Sequence, residues 1–270
     1  MCAAAYVIGA LAVSTAPWWI DIPVWFIMAW LLVGAGATIH EAVHGHLFAH
    51  HWANTLAGRL GGAVTLVPYH VYRSYHIGHH RHLLTPDDPE GADGYKFASR
   101  LQYALALTSG VAYVAWMHGQ AWRCVVGSGP AWMRGERRAL PEALAAALPI
   151  AAIAGALMLA PRATLDAWLA PWMIAMTVLM PLVLIPEHYG AVGTDRKPIY
   201  KSASTIATNR LVAWVYWHNN LHALHHLAQS VVPQRQDEAQ QVLTLATQQQ
   251  SSGYLRWHAT TWRGLTVREQ

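Results

Sequence analysis

The chain is poor in charge and in cysteine. Only 12% of its 270 residues are charged, against about 25% in soluble domains, so a disordered polar tail or an ordinary soluble enzyme is disfavoured. A net charge of +4 makes no basic stripe, which argues against nucleic acid as a partner. Two cysteines, Cys2 and Cys124, cannot form a disulfide framework and indicate a site that faces a reducing compartment.

Long uncharged stretches take the place of the missing charges. Four of them have the length of roughly 17 to 25 residues that crosses a bilayer as a helix, at 1–20, 22–39, 143–161 and 167–186. Short turns at 18–23 and 162–166 would join them into two hairpins. The alternative, two hairpins buried in a soluble core, leaves too little polar surface to cover that core. The prediction is an all-α integral membrane protein with four transmembrane helices and a cytoplasmic histidine-rich cap, as a single domain over 1–270.

A fifth uncharged stretch, 101–122, is predicted to lie in the membrane interface. If it crossed, four arginines would lie outside, against the positive-inside bias, namely Arg123, Arg134, Arg137 and Arg138. With four spans, Arg162 is the only one of the 18 basic residues outside. Segments 40–142 and 187–270 then share the cytoplasmic side with both termini, which predicts a multi-pass protein of the cell inner membrane.

Histidine is abundant: its 17 copies outnumber the 14 acidic residues. Eight of them lie in three short motifs, in which residues three or four apart share a helix face. Neutral imidazoles on converging helices are metal ligands, although imidazole alone does not select the metal. Eight exceed what one ion accepts, so two metal ions are predicted. The motif histidines are His40, His44, His76, His79, His80, His222, His225 and His226.

The first motif, His40-Glu41-Ala42-Val43-His44, also matches the helix of zinc peptidases, in which Glu41 would be the general base. That interpretation gives the other two motifs no role. We therefore expect Glu41 to orient an imidazole instead. An intramembrane zinc peptidase and a non-catalytic metal-binding membrane protein remain as alternatives.

The stretches HEAVHGHLF, YHIGHHRHLLTPDDPE and WHNNLHALHHLAQSVVP resemble the membrane fatty acid desaturase superfamily, which includes hydroxylases and carotenoid ketolases. The resemblance implies two non-haem iron ions that use O₂ as co-substrate and two external electrons to attack a C–H bond of a lipid chain. It also implies a further ligand after the last span, and His188 in Ile185-Pro186-Glu187-His188 matches it. No fused cytochrome b5 motif is present, so a separate ferredoxin, or a cytochrome with its reductase, is the expected electron donor.

The resemblance favours desaturation of a fatty-acyl or other lipid chain, and leaves hydroxylation and ketolation open. Besides Glu41, the candidates for orienting the ligands are His82 and His218, three and four residues from motif histidines. The polar loop 87–93 is predicted to be solvated surface, with a lipid-headgroup site formed together with Arg73 and Arg81 as the alternative. The remaining histidines are predicted to lie at the surface or in interfaces, namely His46, His50, His51, His70, His118 and His258.

Overall fold

The computed structural model describes residues 2–13, 17–91, 96–134, 138–191, 202–242 and 250–265. These residues are predominantly helical, as predicted. The helices are α1 (Cys2–Val13), α2 (Trp18–His44), α3 (His51–Thr65), α4 (Tyr69–His82), α5 (Arg100–Ala106), α6 (Gly110–Val125), α7 (Ala139–Leu159), α8 (Pro161–His188), α9 (Arg210–Val215), α10 (His222–Leu227), α11 (Pro233–Val242) and α12 (Tyr254–Gly264). Two-residue strands, β1 (Thr205–Ile206) and β2 (Gln250–Ser251), pair in parallel.

Three of these helices are long and apolar enough to cross a bilayer, at Trp19–His44, Ala139–Leu159 and Pro161–His188. They correspond to the second, third and fourth predicted spans. Helix α1 has 12 residues, fewer than the roughly 20 that a span requires. The predicted span 1–20 also includes residues 1 and 14–16, which lie outside the described residues. A fourth crossing therefore stays a prediction.

The predicted turns are helical in the structure. Helix α2 begins at Trp18, directly after Pro17. The link between α7 and α8 is Ala160, and Pro161 occupies the first helical position of α8, where proline is favoured because its missing N–H has no helical partner. The absence of charge marks which residues tolerate lipid, whereas backbone geometry decides where a helix begins.

An ionic cluster joins the starts of α2 and α8. Arg162 Nη2 donates to Asp21 Oδ2 at 3.0 Å, and its Nε donates to Asp166, four residues on. Both carboxylates are almost fully buried, whereas the Arg162 side chain is 66% exposed. Arg162, in the turn at 162–166 that was predicted to lie outside, thus forms the ion pairs that join the two long helices.

The predicted interfacial stretch 101–122 forms two helices, α5 and α6, and neither reaches the length of a span. Helix α6 approaches α8 closely, since a Cβ atom added to Gly110 would lie 2.0 Å from the Met176 carbonyl oxygen. Only glycine permits that approach. Met176 lies within the second of two π-helical segments of α8, which are Leu165–Leu169 and Ala175–Leu179. The membrane depth of α5 and α6 stays a prediction.

Candidate metal centre

The last turn of α2 carries the first histidine motif and ends in a glycine cap. Gly45 adopts the left-handed conformation (φ 76°), and the His46 amide donates to the Glu41 carbonyl at 3.0 Å. This arrangement ends helices by turning the chain back along the last turn. As a result the His46 ring returns towards Glu41, where its Nδ1 lies 2.7 Å from Oε2.

The first of two histidine groups combines residues from all three motifs. Its Nε2 atoms lie 3.1 Å apart for His40 and His225, 2.9 Å for His44 and His76, and 2.9 Å for His80 and His76. The potential ligand atoms of all members lie within 4.8 Å of one another. We call this the five-histidine group: His40, His44, His76, His80 and His225.

The second group, the four-histidine group, contains His79, His188, His222 and His226. Its Nε2 atoms form a closed ring. The distances are 3.1 Å from His79 to His188 and 3.0 Å from His188 to His222. They are 3.1 Å from His222 to His226 and 3.4 Å from His226 to His79. All four residues are buried. The structure thus brings together all nine histidines singled out from the sequence.

Adjacent histidines divide between the groups. Successive residues on a helix point roughly 100° apart, so the pair His79 and His80 on α4 sends one ring to each group. The pair His225 and His226 on α10 does the same. The two groups are in contact, with the ring centroids of His80 and His226 4.4 Å apart.

Three of the imidazoles are oriented from behind, through Nδ1. His40 Nδ1 donates to Glu41 Oε1 at 2.6 Å, and His188 Nδ1 donates to the Ser202 carbonyl at 2.6 Å. His79 Nδ1 lies 3.0 and 3.1 Å from the two oxygens of Asp88. A ring that donates from Nδ1 presents its Nε2 lone pair, which is the tautomer that binds metal through Nε2.

Burial keeps most rings of α4 and α10 neutral. Burial, followed by the neighbouring imidazoles, lowers the pKa of His80 to about 2 and holds the pKa values of His76, His222, His225 and His226 well below the usual range. For His79, burial acts in the same direction, but Glu90 and Asp88 raise its pKa overall. Metal ligation requires the neutral imidazole, so the environment favours the binding-competent form.

The donor set fits two metal ions. Neutral Nε2 lone pairs that converge at about 3 Å repel one another unless a cation lies between them. Metal–nitrogen bonds of about 2.0–2.1 Å place neighbouring ligands roughly 3 Å apart, which matches the distances in both groups. Imidazole suits Fe, Zn, Cu and Ni, so the rings alone do not name the metal.

A cavity of about 200 Å³ reaches both groups. His40 and His76 of the five-histidine group line it, as do His79, His188 and His222 of the four-histidine group. Much of its wall is apolar and comes from α2, α6 and α8, including Ile39, Met176, Met180, Leu184 and Ile185. An aliphatic chain would find an apolar environment that ends on the histidines.

Two residues behind the rings, Asp88 and His46, were not expected there: Asp88 bonds to His79, and His46 bonds to Glu41, which in turn bonds to His40. Asp88 is 6% exposed and also accepts the Leu84 and Glu90 amides, so the prediction of a solvated loop was wrong at this residue; residues 92 and 93 lie outside the described residues. The His46 side chain is 6% exposed and lies in the interface with Glu41. The HisGlyHis sequence at 44–46 was the available signal, because a glycine after the last helical turn returns the chain.

His82 and His218 were candidates for orienting the ligands. His218 Nδ1 lies 3.4 Å from Asp237 Oδ1 on α11. The His82 carbonyl accepts from Thr85. Within the described ranges, neither imidazole hydrogen-bonds to a member of the two groups.

The histidines outside the motifs were predicted to lie at the surface or in interfaces, and several of them lie in interfaces. His118 Nε2 donates to the Leu66 carbonyl at 2.9 Å, and His258 Nε2 donates to the Leu182 carbonyl at 2.8 Å. His258 Nδ1 also accepts the Tyr103 hydroxyl hydrogen. His70 is buried, whereas His50 and His51 are exposed.

Comparison with known proteins agrees with this geometry. The family model "Fatty acid desaturase" matches residues 16–258. A curated relative, the sn-1 oleoyl-lipid 12-desaturase of Picosynechococcus sp., is 33% identical over 85 residues. That alignment covers 31% of this chain and 24% of the relative, so the chain matches about a quarter of that protein's length. The chain belongs to the fatty acid desaturase family.

Proposed function

We propose that the chain is an O₂-dependent, non-haem di-iron oxidoreductase that desaturates a fatty-acyl or related lipid chain. The observation that carries the proposal is the apolar cavity lined by members of both histidine groups. The five-histidine group would hold one iron ion and the four-histidine group the other. Bound iron would supply the O₂ and electron-transfer chemistry that protein side chains lack.

The overall reaction balances with an external reductant. A CH₂–CH₂ unit loses two hydrogen atoms and becomes a double bond. One O₂ takes up these two hydrogens, two protons and two electrons, and two water molecules leave. The electrons come from a separate ferredoxin, or from a cytochrome with its reductase, on the cytoplasmic side of the cell inner membrane.

The side chains of the protein bind the substrate and fix the orientation of the metal ligands. Apolar side chains of α2 and α8 would receive the aliphatic chain from the bilayer and exclude water from the metals. Glu41 and Asp88 fix the rings of His40 and His79 through Nδ1. The position of the lipid chain along the cavity then determines which of its carbon atoms reacts. The selection of that carbon requires no acidic side chain.

The same architecture would serve a hydroxylase or a ketolase, and the product distinguishes them. The zinc peptidase alternative finds less support, because both oxygens of Glu41 bond to imidazoles, those of His40 and His46. A general base needs an oxygen that can reach a substrate water.

Expression in a host with few lipid species tests the proposal. We expect the purified protein to contain about two iron ions and the host lipids to lose two hydrogens, as seen by mass spectrometry. The variant His44→Ala should abolish the product. The matched control is His51→Ala, at an exposed position on α3, and it should leave the product unchanged. A gain of oxygen would indicate a hydroxylase or ketolase, and unchanged lipids in the presence of O₂ and reductant would contradict the proposal.

The variant Glu41→Gln separates the oxidase from the peptidase. Glutamine keeps one acceptor oxygen but faces His40 or His46 with an amide N–H₂, so one ring loses its partner. Loss of a residue that orients a metal ligand costs about 10–100-fold in metal affinity or activity. We expect lipid oxidation to fall within that range in Glu41→Gln and to vanish in His44→Ala. Complete loss in both, with a single bound zinc ion, would support the peptidase instead.

A further inference from the structure

Glu187 has a partner that its sequence position does not suggest. Its neighbour along the chain is His188, yet its Oε2 atom lies 3.7 Å from Nε2 of His222. Its other oxygen, Oε1, accepts the Tyr216 hydroxyl at 2.6 Å. The Glu187 side chain is 12% exposed and lines the same cavity as the histidines.

The side from which Glu187 approaches sets it apart from the other carboxylates at the centre. Glu41 and Asp88 contact Nδ1 atoms, and Glu90 lies 3.7 Å from Nδ1 of His79. Those three carboxylates lie behind the rings. Among the described residues, Glu187 is the one carboxylate within 4.0 Å of an Nε2 atom of the nine histidines. It therefore lies on the side where the ligand atoms converge.

The two groups differ in the number of imidazoles that they supply, five against four. A carboxylate oxygen beside His222 would give the four-histidine group a fifth protein donor. Carboxylate oxygen and imidazole nitrogen together are an ordinary ligand set for non-haem iron. With Glu187 included, both ions would have five protein ligands.

The backbone holds Glu187 at this position. The Ser204 amide donates to the Glu187 carbonyl at 2.8 Å, and the Ala223 amide donates to the Ser204 carbonyl at 3.2 Å. Ser204 thus ties the end of α8 to the start of α10, where His222 lies. Since Tyr216 engages Oε1, Oε2 is the oxygen directed towards the group.

Charge gives the physical reason for a carboxylate here. A buried carboxylate next to the lone pair of a neutral imidazole is unfavourable in the absence of a cation. A metal ion between the two atoms converts that repulsion into two favourable contacts. Neutral imidazoles bring no negative charge to balance the ion, whereas Glu187 brings one.

We propose that the Glu187 carboxylate is the fifth protein ligand of the metal ion in the four-histidine group, positioned by the Tyr216 hydroxyl. This inference rests on the proposed di-iron function. It adds a ligand that the histidine motifs alone do not contain.

The test measures bound iron and its spectrum in the purified holoenzyme. The variants are Glu187→Gln, Tyr216→Phe and the control Glu238→Gln, whose carboxylate is 68% exposed and pairs with Arg235. After dialysis against a chelator, wild type and Glu238→Gln should retain about two iron ions per chain, and Glu187→Gln about one. In Mössbauer spectra, the signal of one iron site should change in Glu187→Gln while the other stays as in wild type.

The milder variant keeps the proposal testable if Glu187→Gln does not fold. Tyr216→Phe retains the carboxylate but removes the hydroxyl that positions it. The ion in the four-histidine group should therefore be released about 10–100-fold more readily. Two retained ions with unchanged spectra in Glu187→Gln, or unchanged release in Tyr216→Phe, would overturn the ligand assignment. Wild-type protein without iron and without product would instead overturn the proposed function itself.

Discussion

Replacing His188 by alanine should abolish lipid oxidation and lower bound iron from about two ions per chain to about one. His188 supplies an Nε2 atom that lies 3.1 Å from that of His79 and 3.0 Å from that of His222. The residue is 3% exposed, and its Nδ1 donates to the Ser202 carbonyl. The substitution removes one of four converging donors and leaves that buried carbonyl without its partner.

Iron content, lipid product and thermal unfolding would be measured on the same preparations. His51→Ala is the appropriate control, because His51 is exposed and has no part in either group. His258 would be a poor control: it is 8% exposed and ties α12 to α5 and α8 through Tyr103 and Leu182. Wild-type iron and product in His188→Ala would show that this ring is not a ligand.

Local spacing explains why the sequence predicts most of the candidate centre. Residues three and four apart on a helix share a face whatever the rest of the fold does. The motifs at 40–44, 76–80 and 222–226 therefore needed only to be helical, or nearly so, to present their rings together. His188 has no such local pattern, and only the resemblance to a family indicated it.

Side-chain contacts that form only because the backbone turns could not be predicted from the sequence. His46 meets Glu41 because Gly45 adopts a left-handed conformation, and Asp88 meets His79 because the loop after α4 folds back beneath it. Glu187 faces His222, which is distant in sequence, because Ser204 links the two segments. Each contact depends on a backbone path that composition and periodicity do not encode.

The spans illustrate a related limit. Scarcity of charge located the three long helices but not their ends, since α2 extends through Glu41 to His44. Glu41 is tolerated there because its two oxygens bond to His40 and His46. A rule that ends a helix at the first charged residue therefore fails at a site where the charge is paired.

The variant Gly36→Leu should prevent lipid oxidation while the protein retains about two iron ions. Gly36 lines the cavity and lies one helical turn before His40 on α2, so both residues face the same space. A Cβ atom at position 36 would already lie 2.8 Å from the terminal carbon of Met180. A branched side chain would fill the space that an aliphatic chain needs to reach the histidines.

We expect the product to fall by at least ~100-fold, since displacement by about 1 Å from the reactive position costs that much. Gly155→Leu on α7 makes the same change where the structure leaves open space, and it should leave both product and iron unchanged. Gly36→Ala should be milder, because the end of the Met180 side chain can move aside. Wild-type product in Gly36→Leu would mean that the substrate does not use this cavity. Loss of iron together with product would mean that the substitution acts on the metal centre and not on the path of the chain.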